Sequence, residues 1–109
     1  MFIVNTEFVP DARIVSVLGM VQGSTVRAKH VGRDIMAGFK NIIGGELKGY
    51  TQLLQESRQE ATQRMINSAK ALGANAIVNV RYATSSITAG ASELFCYGTA
   101  VVLEKNDNK

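Results

Sequence analysis

The run Glu93-Leu94-Phe95-Cys96-Tyr97-Gly98-Thr99-Ala100-Val101-Val102-Leu103-Glu104 decides how the chain must fold. Side chains on a strand point alternately to its two faces. Here Leu94, Cys96, Ala100 and Val102 fall on one side, and Phe95, Tyr97, Val101 and Leu103 on the other. Both sides are apolar, so both need cover. A helix of the same chain can cover one. Nothing remains in a lone chain for the second, which predicts self-association through that face.

Just upstream, Ala76 to Thr84 reads as a strand, with Ala76, Val78, Val80 and Tyr82 alternating against Ile77, Asn79 and Arg81. Ser85 to Ser92, containing Gly90, reads as a loop, so the two strands should pair as an antiparallel hairpin. Before them a long helix is expected from about Thr51 to Leu72. Its buried stripe would be Leu54, Ser57, Ala61, Met65, Ser68 or Ala69, and Leu72, narrow and mostly small. Such a stripe lets a helix lie close to its neighbour. Glu60 and Arg64 stand in the favourable i, i+4 order, and Gly73 is placed to end the helix.

A first helix is expected from about Val31 to Ile43, with Val31, Ile35, Met36, Phe39, Ile42 and Ile43 on one face and Gly44-Gly45 at its end. The N-terminal part supplies a short strand, Phe2 to Asn5, a turn at Pro10-Asp11, and a longer strand from about Ile14 to Val26. Gly19 and Gly23 interrupt that strand, as at a bulge, a bend or a close backbone approach. The expected fold is α+β: a small antiparallel sheet with two helices on one face, in the order strand-helix-helix-strand-strand.

With 109 residues, 46% apolar and 19% charged, the chain fits one domain over residues 1–109 with an ordered core at about 2–104. No apolar run approaches the ~20 residues that cross a bilayer, and the first ten residues do not read as a signal peptide, so a cytoplasmic protein is expected. One Cys excludes an intramolecular disulfide. One Cys and one His cannot furnish a closed four-ligand zinc site of the usual kind within one chain. The net charge is +3, and Arg27, Lys29, Arg33, Lys40 and Lys48 crowd one segment against only Asp34 and Glu46. That segment reads as a solvated helix face, or as a patch for an anion.

Gly32-Arg33-Asp34-Ile35-Met36-Ala37-Gly38-Phe39-Lys40-Asn41-Ile42-Ile43-Gly44-Gly45, continuing Glu46-Leu47-Lys48-Gly49-Tyr50, resembles a signature of the YbjQ-like family. So do Leu72-Gly73-Ala74-Asn75-Ala76-Ile77-Val78 and Tyr97-Gly98-Thr99-Ala100-Val101, and the likeness spans about Ile3 to Leu103. The resemblance implies a dodecin-subunit-like fold, ring-shaped homo-oligomers, pentamers in particular, and a heavy-metal-binding label with no established reaction. Family members often carry an acidic residue where this chain has Ala83, in Arg81-Tyr82-Ala83-Thr84-Ser85, so that oxygen ligand is missing here.

Soft heavy metals favour thiolate and imidazole. Cys96 is the sole soft candidate for a metal, though its place between Phe95 and Tyr97 reads as a small buried hydrophobe. His30 reads as a helix-entry histidine in a basic context, and Asp34 as a carboxylate favoured by the helix N-terminus. If a ligand pocket exists, Arg33, Lys40 and Tyr50 near the two-glycine turn would line it, although packing or interface roles explain each of them. Arg33 could equally pair with Glu56 or Glu60 of the second helix, or with a neighbouring subunit. No nucleophile-base set, phosphate loop or dinucleotide fingerprint is present, which argues against an enzyme. Three Tyr, four Phe and no Trp leave little for base stacking, so nucleic acid is not an expected partner. The expectation is a non-enzymatic, ring-forming homo-oligomer whose partners are its own copies and a metal ion or small ligand. The alternative is an anion-binding module or enzyme built on the basic first helix. Neither the cofactor nor the ligand is identified by these residues.

Overall fold

A computed structural model of the chain describes residues 1–27, 48–88 and 91–107. The expected helix over 31–43 lies outside these residues. Two strands come first, β1 (Phe2–Ile3) and β2 (Ala12–Arg27). They are followed by a helix, α1 (Lys48–Ala71), and a hairpin of β3 (Ala76–Thr88) and β4 (Ala91–Lys105). The four strands form one sheet in the order β1-β3-β4-β2. It is mixed and not wholly antiparallel, because β1 runs parallel to β3. Most of the expected 85–92 loop is strand: Thr84, Ser85 and Ser86 pair with Leu94, Glu93 and Ser92. Their small β-branched and hydroxyl side chains suit an extended ladder as well as a loop.

The turn into β2 follows from its two residues. Pro10 presets φ, and Asp11 takes the left-handed conformation at φ 64. The Ala12 amide donates to the Val9 carbonyl at 3.2 Å, closing a type II turn. Bulges then bend β2 where Val15 and Leu18 have no counterpart on β4. Gly19, at φ 129, sits beside the second of them.

Gly23 is where the sheet meets the helix. A Cβ there would lie 2.1 Å from the Ala61 carbonyl oxygen and 2.5 Å from the Met65 amide nitrogen. The helix presents Ser57, Ala61, Met65 and Ala69 to the sheet, all buried and spaced by four. The expected stripe is narrower at both ends than its spacing predicts, because Leu54 and Leu72 are about half exposed (47% and 48%) and Ser68 is exposed. The close approach at Gly23 centres the contact on the small residues and lifts the helix ends clear. The core between the layers is Val21, Ile77, Val80, Cys96 and Ala100 against Ala61, Met65 and Ala69. At the rim, Arg64 pairs with Glu60 as expected, and also donates to the Ser24 carbonyl at 2.6 Å.

α1 ends in a Schellman arrangement. The Gly73 amide donates to the Lys70 carbonyl and the Ala74 amide to the Ala69 carbonyl, with Gly73 at φ 87. We expect Gly73→Ala to lower stability by about 1–2 kcal/mol, the cost of a left-handed Cβ, read as a lower urea midpoint at unchanged slope. Asn75 then acts as a short extra rung. Its side-chain amide donates to the Leu103 carbonyl at 2.9 Å, and its side-chain oxygen accepts from the Leu103 amide at 2.7 Å.

The single alternation expected along 76–82 is broken. Asn79 and Val80 together oppose Gly98, so β3 carries one extra residue, and Asn79 adopts φ 58. One inserted residue reverses the facing of everything beyond it. Ile77 and Val80 therefore point to the α1 side, while Ala76 and Val78 lie with Val101 on the opposite face. Gly98 makes this possible, since a Cβ there would stand 2.7 Å from the Ile77 Cγ2.

Candidate functional site

Cys96 sits mid-strand on the face of β4 turned to α1, fully buried. Burial pushes its thiol above the ordinary value of 9.0, outweighing the Gly23 backbone and the Thr62 side chain, which favour the thiolate. A raised folded pKa means that protonated Cys96 supports the fold fully below the free thiol's pKa. That support is lost as pH rises through the higher folded value. We therefore expect stability to fall above about pH 9, and Cys96→Ala to flatten that decline in denaturant midpoints measured from pH 7 to 11. A disulfide reagent at pH 8 should modify the thiol only after unfolding.

This placement bears on a metal. The described residues hold no converging group of three or more His, Cys, Asp or Glu side chains. Cys96 is sealed between sheet and helix, so it cannot be presented toward another copy as one ligand per subunit. Ala83 lies opposite Phe95, on the sheet face away from α1. An acid there would not share a face with Cys96. The described residues therefore do not fit a soft-metal site.

Of the residues expected to line a ligand pocket, Arg33 and Lys40 lie outside the described set, as do His30 and Asp34. Tyr50 falls within the first turn of α1 and not ahead of it, because the helix starts at Lys48; its side chain is outside the described set. Of the two carboxylates offered to Arg33, Glu60 is engaged by Arg64 and Glu56 accepts from Gln52.

Among the described residues a row of exposed apolar side chains lies on the sheet face away from α1. Register places Ile14, Val17, Met20 and Val26 of β2 there, across from Leu103, Val101, Thr99 and Glu93. Val17 is 66% and Met20 73% exposed. Among the described residues β2 is also an edge strand, paired only with β4. The bare second face expected on β4 is only partly bare. Val101 is buried, and Phe95, Tyr97 and Leu103 are half-buried, with the two rings stacked at 6.0 Å. The exposed apolar row belongs to β2 instead, because a central strand is sheltered by both neighbours and an edge strand by one. Spacing alone did not single out Val17 and Met20, since the bulge at Leu18 sets which way each points.

The molecule is thin and long, 61 × 28 × 18 Å, with a radius of gyration of 17.8 Å. A compact chain of this length would give about 13 Å. No helix among the described residues is long and apolar enough to cross a membrane.

Comparison with known proteins agrees over nearly the whole chain. The family model YbjQ_1, described as "Putative heavy-metal-binding", matches residues 1–104. A UPF0145 protein of Hahella chejuensis is 64% identical over 104 residues, covering 95% of this chain and 100% of the relative. One from Archaeoglobus fulgidus is 58% identical over 101 residues, covering 93% and 94%. That designation states no reaction. A crystal structure of a protein of unknown function from the DUF74 family of Pediococcus pentosaceus superposes with a TM-score of 0.62 at 16% identity, covering 95% of this chain and 98% of that one. It supports the fold alone.

Proposed function

Because the chain belongs to the YbjQ_1 family, we propose that it works as a ring-forming homo-oligomer, a pentamer, with a metal- or small-ligand-binding role and no catalysis of its own. The observation that carries the reading is the apolar row of β2, which lies uncovered on an edge strand. Large exposed apolar patches mark association surfaces, and an unpaired edge invites a second strand. The elongated shape supports the same reading, since packing copies side by side would restore an ordinary ratio of surface to volume. One copy's described residues furnish no soft-metal site, so the metal role falls to surfaces formed where copies meet. A cytoplasmic setting belongs to this reading.

Native mass spectrometry of freshly purified protein tests it. The expected result is one discrete assembly of five copies of the 11.8 kDa chain, with any retained ion visible as added mass. A folded monomer at micromolar concentration overturns it. Calorimetric titration with cadmium should give the same heat for the unaltered protein and for Cys96→Ala. Loss of binding in that variant would return Cys96 to the metal account.

A further inference from the structure

α1 lies over β2 and β4 and only grazes β3. Among the described residues this leaves β3 open on the helix side, and Tyr82, 43% exposed, stands in the opening. Two recesses meet at its ring. The first, about 540 Å³, is walled by α1 through Arg58, Thr62 and Gln63. The second, about 230 Å³, is bounded by Ile3, Val4 and Val80 and is largely apolar.

The ring is held in place. Thr62 Oγ1 donates its hydrogen to the Arg58 carbonyl at 2.7 Å, so in the 2.7 Å bond between the two hydroxyls Tyr82 is the donor. Tyr82 is nonetheless 43% exposed, so much of its surface faces the recesses. The cation at this place is also unspent. Arg13 and Arg64 are paired with Glu104 and Glu60, and Arg81 donates to the Asn5 carbonyl. The Arg58 guanidinium has no ion pair and no hydrogen bond from its side chain among the described residues.

We propose that this cleft binds a small organic carboxylate, its anionic head on Arg58 and its apolar body against Tyr82 and the Ile3–Val80 recess. A guanidinium receives a carboxylate through two parallel N–H donors. The larger recess is open and lined by Arg58, Gln59, Thr62 and Gln63 beside Tyr82, and the smaller one supplies the apolar wall through Ile3, Val4 and Val80, so polar head and apolar body have separate places. A fixed aromatic ring loses little freedom when a flat ligand lies on it. The cleft shares no residue with the apolar row of β2, so this inference is argued from other observations than the assembly.

The test is an NMR titration of the intact ¹⁵N-labelled protein with 2-naphthoate and, separately, with the neutral 2-naphthamide. 2-Naphthoate should saturate and shift the amides of residues 58–63 and 80–83. The naphthamide should bind at least tenfold more weakly to the same unaltered protein. Arg58→Gln, a surface change, should weaken naphthoate at least tenfold and the naphthamide much less. Tyr82→Leu should weaken both ligands. Shifts that do not saturate, that map to residues 14–26, or that are equal for acid and amide would overturn the proposal.

Discussion

Gly23→Val should cost about 3 kcal/mol or more, the upper end of what overpacking does, and free α1 from the sheet. Even alanine places its Cβ 2.1 Å from the Ala61 carbonyl oxygen and 2.5 Å from the Met65 nitrogen. Both are backbone atoms, so no side chain can turn aside. The helix must lift, and lifting it opens the contacts of Ala61, Met65 and Ala69 with Val21, Cys96 and Ala100 together. Gly19→Ala is the natural comparison. Nothing lies within 4 Å of a Cβ there, so only the φ of 129 is strained, and the cost should stay near 1–2 kcal/mol as at any left-handed position. Urea midpoints for the two variants read the difference. Equal losses would show that backbone strain, and not the helix approach, sets the need for glycine in this strand.

For the proposed ring, replacing Val17 and Met20 together by glutamate should leave folded monomers. The two side chains point away from α1 and are mostly exposed, so a single copy loses little by the change. Where copies meet, the same change buries carboxylates without partners, at several kcal/mol each. Sedimentation should show a shift to a species near 11.8 kDa with an unchanged circular dichroism spectrum. An intact assembly would remove β2 from the interface. Loss of the spectrum would show instead that the row supports the single chain.

Much of the fold is legible along the chain because it is local. The cap at Gly73, the turn at Pro10-Asp11, the Glu60–Arg64 pair and the four-residue spacing of Ser57, Ala61, Met65 and Ala69 all concern neighbours within a few positions. Gly19 and Gly23 were legible as a bulge, a bend or a close approach, and only the structure assigns the close approach to Gly23. The candidate site was less so. Cys96 reads correctly as a strand residue flanked by aromatics, and its burial under α1 gives that reading a structure. Arg58, Thr62 and Tyr82 come from two segments whose meeting no spacing announces. Asn79 opposite Gly98 is the signal that could have warned of the reversal in β3, since Asn tolerates the left-handed conformation.

By itself the amino-acid order determined that the fold is α+β, where the helix Lys48–Ala71 ends, and that its strands are apolar on more sides than one. Tertiary structure alone decided which strand stays bare. The bulges at Leu18 and Asn79 exist only because β4 lies alongside with fewer residues, and each turns the following side chains to the other face. Facing is a property of two paired strands, and neither strand's own sequence contains it.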